Sequence, residues 1–183
     1  MKTRSKKIRH HAPAVNELHQ KMVQLYDGKD VTCVPGITQY TWLQLTAETG
    51  MDLSAWPTVK HFTSWLGLSP AKFESGKRKK YKSSKSCPKA GQLLKEASLS
   101  VLNSKAHALG AFGRKIRSRK GPGVAIKAVA RKIAVMYYFI LTKGIAYVEQ
   151  GIQAYEKHYL EVQQKLLEKR AKQLNLQLVP IVN

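Results

Sequence analysis

Between Lys77 and Lys132 the chain carries 17 lysine or arginine residues and one acid, Glu96. Like charges at this density repel one another on compaction, so the stretch resists a compact state unless a polyanion neutralises it. It holds +16 of the formal +21 that 32 basic and 11 acidic residues give the 183-residue chain. A field of this size and sign points to a polyanion, nucleic acid first and an acidic membrane surface second. The densest pieces are Lys77-Arg78-Lys79-Lys80-Tyr81-Lys82 and Arg114-Lys115-Ile116-Arg117-Ser118-Arg119-Lys120, and Lys85, Lys89, Arg131 and Lys132 complete the candidate phosphate contacts. Such contacts release counterions and give salt-sensitive affinity without reading bases. A charge run can also be a solvated face; alternating signs favour that reading, whereas one dominant sign favours binding.

Several classes fall away. Hydrophobic residues make up 43% of the chain, enough to fill one domain core. The apolar run Ile133–Thr142 is far short of the ~20 residues that a membrane span needs. The basic start, Met1 to Arg9, leads into His10, His11, Asn16 and Glu17 rather than an apolar signal region, so a cytoplasmic, nucleoid-associated protein without membrane partners is expected. Cys33 and Cys87 form no C-x-x-C pair and the six histidines form no H-E-x-x-H, so neither a disulfide scaffold nor a zinc site is indicated.

Apolar periodicity predicts an all-α fold. Val15, Leu18, Met22 and Leu25 make a short amphipathic helix ending at Asp27-Gly28. A second helix runs through Tyr40 to Ala47 and closes at Gly50; a third starts at Ser54-Ala55-Trp56-Pro57 with Pro57 at its first helical position. From Ser69 to Pro88 the period vanishes, which reads as a long loop or an irregular hairpin. Pro88 reopens a helix through Leu102, a shorter one spans about Ala106 to Ile116, and the pattern from Ala125 to Leu141 is the most apolar helix and the expected core element. Val148, Ile152, Tyr155, Tyr159, Val162 and Leu166 then recur at four- and three-residue steps, a coiled-coil-like seam that could drive homo-oligomerisation through residues 148–166.

Chemistry is sparse. Metal-assisted phosphodiester cleavage normally needs several converging carboxylates, and between Met51 and Lys132 the only acids are Asp52, Glu74 and Glu96. Phe73-Glu74-Ser75-Gly76 places a hydroxyl at the start of the basic loop, but an isolated serine is unactivated and is ordinarily structural. Val34-Pro35-Gly36-Ile37 before a helix has the form of a helix-hairpin-helix turn, in which a close backbone approach at Gly36 serves a phosphate; Thr38 stands where a second glycine is usual, and a plain capping turn has the same form. Cys87 has the pattern of a small apolar filler.

Val34-Pro35-Gly36-Ile37, Ala47-Glu48-Thr49-Gly50, Trp56-Pro57-Thr58-Val59-Lys60-His61-Phe62, Trp65-Leu66-Gly67-Leu68-Ser69-Pro70, Phe73-Glu74-Ser75-Gly76, Pro88-Lys89-Ala90-Gly91 and Ala128-Val129-Ala130-Arg131-Lys132-Ile133 together resemble, in order and spacing, the C-terminal domain of bacterial insertion-sequence transposases of family one-hundred-ten, relatives of the Piv invertase. The resemblance covers roughly Thr32 to Tyr147. It implies residues 1–31 as a basic arm and the end of a helical linker, residues 32–147 as the transposase domain and residues 148–183 as a C-terminal amphipathic helix and tail. It also implies that Ser75 is a nucleophile toward DNA, giving a phosphoserine intermediate with Mg²⁺ held by a RuvC-like domain. DNA, a structured bridge RNA and that RuvC-like half are the implied partners. Gln92 to Glu96 departs from the family's Arg-rich sequence, the tail after Tyr147 is long, and no RuvC-like half is present, so a truncated or split form, inactive alone, is expected. The alternative from a different class is a non-catalytic DNA- or RNA-binding structural protein or remnant.

Overall fold

The computed structural model describes residues 15–69, 73–75, 78–80, 87–105 and 107–179. Its elements are α1 (Leu18–Leu25), a 3-10 turn (Val31–Cys33), α2 (Gln39–Thr49), α3 (Val59–Trp65), β1 (Phe73–Ser75), β2 (Arg78–Lys80), α4 (Lys89–Asn103), α5 (Ala108–Lys120), α6 (Pro122–Lys143) and α7 (Ile145–Gln173). The fold is all-α with one small antiparallel ribbon, β1 against β2, paired Phe73 with Lys80, Glu74 with Lys79 and Ser75 with Arg78. Three-residue strands are too short to show a period of two, which is why the sequence offered only a loop or an irregular hairpin there.

Helix α6 is the central post, touched by α3, α4, α5 and α7. Pro122 opens it and Gly144 closes it, its amide donating to Ile140 O. Nine of its residues are buried. Ala125, Ala130 and Ala134 bring neighbouring backbones close, while Ile133, Tyr137 and Ile140 fill the space between helices. The Phe62 ring of α3 lies 6.2 Å from that of Tyr137, and both are fully buried. Side chains of the Phe and Ile class each contribute about 1.5–3 kcal/mol on burial, so this cluster ties α3 to the post. Burial also pushes the Tyr137 phenol well up, and its hydroxyl is 3.4 Å from Thr49 Oγ1 at the end of α2.

Local chemistry shifts two predicted boundaries. Helix α3 begins at Val59, not at Pro57, because Thr58 is its N-cap: Thr58 Oγ1 accepts from the His61 amide, satisfying one of the open donors of the first turn, which a proline side chain has no acceptor to do. Helix α5 continues past Ile116 to Lys120, since Arg117, Arg119 and Lys120 in its last turn complement the negative end of the helix rather than breaking it. Gly121, at φ 84°, stops it.

The terminal seam divides in two. Val148 is 5% exposed and packs on the core, whereas Val162 and Leu166 are 37% and 51% exposed because α7 outruns the helices beside it.

Candidate nucleic-acid interface

The basic residues fall into two groups by what their charged ends already touch. In α5, Arg114 is committed inward: its guanidinium donates to Leu102 O at 3.1 Å and to Ser104 O, capping the carbonyl end of α4. Gly110 and Gly113 allow this close approach, since a Cβ on Gly110 would fall 2.5 Å from Val101 O and one on Gly113 2.3 Å from Leu102 Cδ2. One turn further on the situation reverses. Lys115, Arg117, Arg119 and Lys120 are exposed, and no carboxylate of the described residues pairs with them; among those residues the one ion pair is His19–Asp30, at 2.9 Å. Lys29 is committed too, its ammonium donating to Leu141 O at 2.8 Å.

The ribbon β1–β2 sets Ser75 in register with Arg78, with Lys79 and Lys80 following along β2. Lys77, Lys82 and Lys85 lie outside the described residues. The chain leaves for the ribbon after Leu68 and returns at Cys87, and both ends are pinned where α3 finishes and α4 starts. Cys87 Sγ donates to Leu66 O at 3.3 Å and receives the Lys95 ammonium at 3.1 Å, so this thiol is a hydrogen-bonded anchor as well as a filler. Gly91 completes the anchor, because a Cβ there would fall 2.2 Å from Leu66 O. Lys89 opens α4 beside it and is exposed.

Pro35 and Gly36 form a tight turn closed by Ile37 N to Val34 O at 3.1 Å, with Gly36 at φ 89°, where only glycine is unstrained. The close approach at Gly36 is made to its own protein: a Cβ would fall 2.7 Å from Ala97 O of α4. Thr38 is the N-cap of α2, its hydroxyl accepting from the Thr41 amide at 3.1 Å.

Pro35 and Lys132, far apart in sequence, line one cavity of about 250 Å³ between α5, α6 and α7. Its wall is mostly apolar and aromatic, with Phe139, Tyr147 and Tyr155 prominent. Lys132 Nζ lies 5.0 Å from the ring centres of both Phe112 and Tyr155, and Lys143 Nζ lies 5.2 Å from Phe139 and 4.7 Å from Tyr147. Burial raises the Tyr155 phenol, with Tyr159 adding to the shift. Arg131 is half-buried on the same helix. Charge counting found Lys132 but passed over Lys143, which lies beyond the basic stretch; the recurrence of an aromatic every eight residues at positions 139, 147 and 155 was the available signal.

Among the described residues no three metal-ligating side chains converge, so they supply no donor set for Mg²⁺. No helix of the described residues is long and apolar enough to cross a membrane.

These features define a helical domain built on one apolar post, with cations on its exposed helix end that no carboxylate of the described residues pairs, and an aromatic-backed lysine, Lys132, in a groove. Residues 29–112 match the family described as Transposase IS116/IS110/IS902, so this stretch is similar to a transposase domain of that insertion-sequence family. The match is just under half of the chain and ends within α5. No curated protein and no solved structure matches.

Proposed function

We propose that the chain binds DNA through its phosphates as the C-terminal, nucleophile-bearing part of a transposase, and that it needs a RuvC-like domain to act. The observation that carries the reading is the last turn of α5, where Lys115, Arg117, Arg119 and Lys120 project without carboxylate partners among the described residues of a chain similar in part to a transposase domain. Each phosphate neutralised steepens the loss of affinity with salt by about 0.9 in a log–log plot. Titrating duplex DNA at rising salt tests this, and a flat response contradicts it.

Ser75 is the nucleophile in this reading. Its Oγ attacks phosphorus, a serine–phosphate ester forms as the phosphorus–oxygen bond to the leaving strand breaks, and the serine proton ends on the departing hydroxyl. The chain supplies the hydroxyl and the phosphate-holding cations; Mg²⁺, on the RuvC-like domain, would supply charge neutralisation. Supplying that domain with a suicide DNA substrate yields a protein–DNA adduct that Ser75→Ala abolishes; an undiminished adduct removes Ser75 from the role. A structured RNA competing with duplex DNA for the same cations is the corresponding test for an RNA partner.

A further inference from the structure

We infer that the groove between α6 and α7 is a second nucleic-acid site, one that takes a single unpaired base of a strand whose phosphates lie on Lys132 and Lys143. The inference rests on the phosphate-binding reading above and adds to it a ligand and a place. Three observations converge.

The first is the wall. Phe139, Tyr147 and Tyr155 present aromatic surface to one cavity of about 250 Å³, and Tyr147 is 49% exposed. Bases stack on such rings whatever their identity, because every base has a π-face. The volume lies just under the ~300–1,000 Å³ of ordinary ligand sites, which suits one planar ring system. It is too small for a partner helix, whose diameter with side chains is about 10–12 Å.

The second is charge. Lys132 and Lys143 are both exposed, lie against the aromatic rings, and at 1.5 Å per residue are roughly 16 Å apart along α6. Lys132 lines the slot and Lys143 lies over Phe139 and Tyr147 of its wall, so the pair matches phosphates of a strand that crosses it over about two or three nucleotides, with Glu156 the one carboxylate of the lining. The pair matches an apolar peptide poorly.

The third is Gly151. It lines the cavity from the interior of α7, and a Cβ there would meet nothing within 4 Å. Glycine inside a helix is costly beside any ordinary residue, and close packing explains Gly110 and Gly113 but not this one. Its effect is to leave the slot open.

The test uses the full chain and two short DNA strands of equal length, one abasic throughout and one carrying a single 2-aminopurine among abasic positions. The base should add about tenfold to affinity, within the roughly 5- to 150-fold that stacking on one ring provides, and its fluorescence should be quenched on binding. Gly151→Leu should abolish both effects without lowering the thermal midpoint, since leucine is the better helix former, and it should leave the abasic strand's affinity unchanged. Tyr147→Ala, at a half-exposed site, should also remove the gain if Gly151→Leu misfolds. A 2-aminopurine strand that binds no better than the abasic one, or an undiminished gain in both variants, overturns the base site and leaves the groove to an apolar protein segment. Failure of the abasic strand to bind at low salt overturns the phosphate reading itself.

Discussion

The two halves of α5 differ in what they do with charge. In the first, Ala108, Leu109, Gly110 and Gly113 are buried and the guanidinium of Arg114 is spent on carbonyls of α4. In the second, four cations extend into solvent with no carboxylate partner among the described residues. A count of basic residues gives Arg114 and Arg117 equal standing, yet one holds the fold together and the other is free to hold something else. A cation is a candidate for phosphate binding only after its internal partners have been subtracted.

Substitutions in the first half should therefore act on stability. Gly110→Ala gains about 1 kcal/mol in helix propensity, but its Cβ would press on backbone oxygens of Val101 and Ser104 that cannot swing aside. A net loss of about 2 kcal/mol is expected in chemical denaturation, the cost of overpacking exceeding the propensity gain; an unchanged midpoint would mean that α5 is not seated on α4 as described. Arg114→Ala should cost less, about 1–2 kcal/mol, by leaving the Leu102 and Ser104 carbonyls without their charged donor. Thr58→Ala, which removes no cation, should cost about 1 kcal/mol through loss of the α3 cap and leave DNA affinity untouched.

The smallest effect lies at Asp30, the carboxylate that caps the turn Val31–Cys33. Partial burial disfavours the Asp30 carboxylate, but the Thr32 hydroxyl and amide, and then His19, outweigh it and hold the carboxyl below its ordinary value of 3.8. A depressed carboxylate stabilises the fold fully above that ordinary value and loses the contribution as pH falls through the lower, folded one. Denaturation midpoints should decline across that acid window in the parent, and the decline should be shallower in Asp30→Asn.

Much of this was legible in sequence. The all-α class, the placement of α6 as the core element and the glycines ending α2 and α6 follow from apolar spacing and punctuation, because α6 buries a face that its pattern already marks. Lys29 and Arg114 were illegible as structural groups, since their partners are main-chain carbonyls 112 and 10–12 residues away and a carbonyl has no signature in a sequence. The sequence left Gly36 open between a phosphate-facing hairpin and a plain capping turn; its close approach in the structure is against α4, between segments some 60 residues apart. The seam from Val148 to Leu166 kept its period along its whole length although only its start is covered, because period records the face and not how far a neighbour extends along it.

The division of α5 is tested most directly by the salt dependence of duplex DNA affinity in two variants. Replacing Lys115, Arg117, Arg119 and Lys120 together by glutamine should flatten the log–log slope by as much as about 3–4, near 0.9 for each phosphate that is no longer neutralised, with only the small fall in thermal midpoint that fraying of the last turn of α5 brings. Arg114→Gln should lower the midpoint and leave the slope as it was. Equal slopes for the parent and the four-residue variant, or a slope change in Arg114→Gln as large as that of the four, would contradict the assignment.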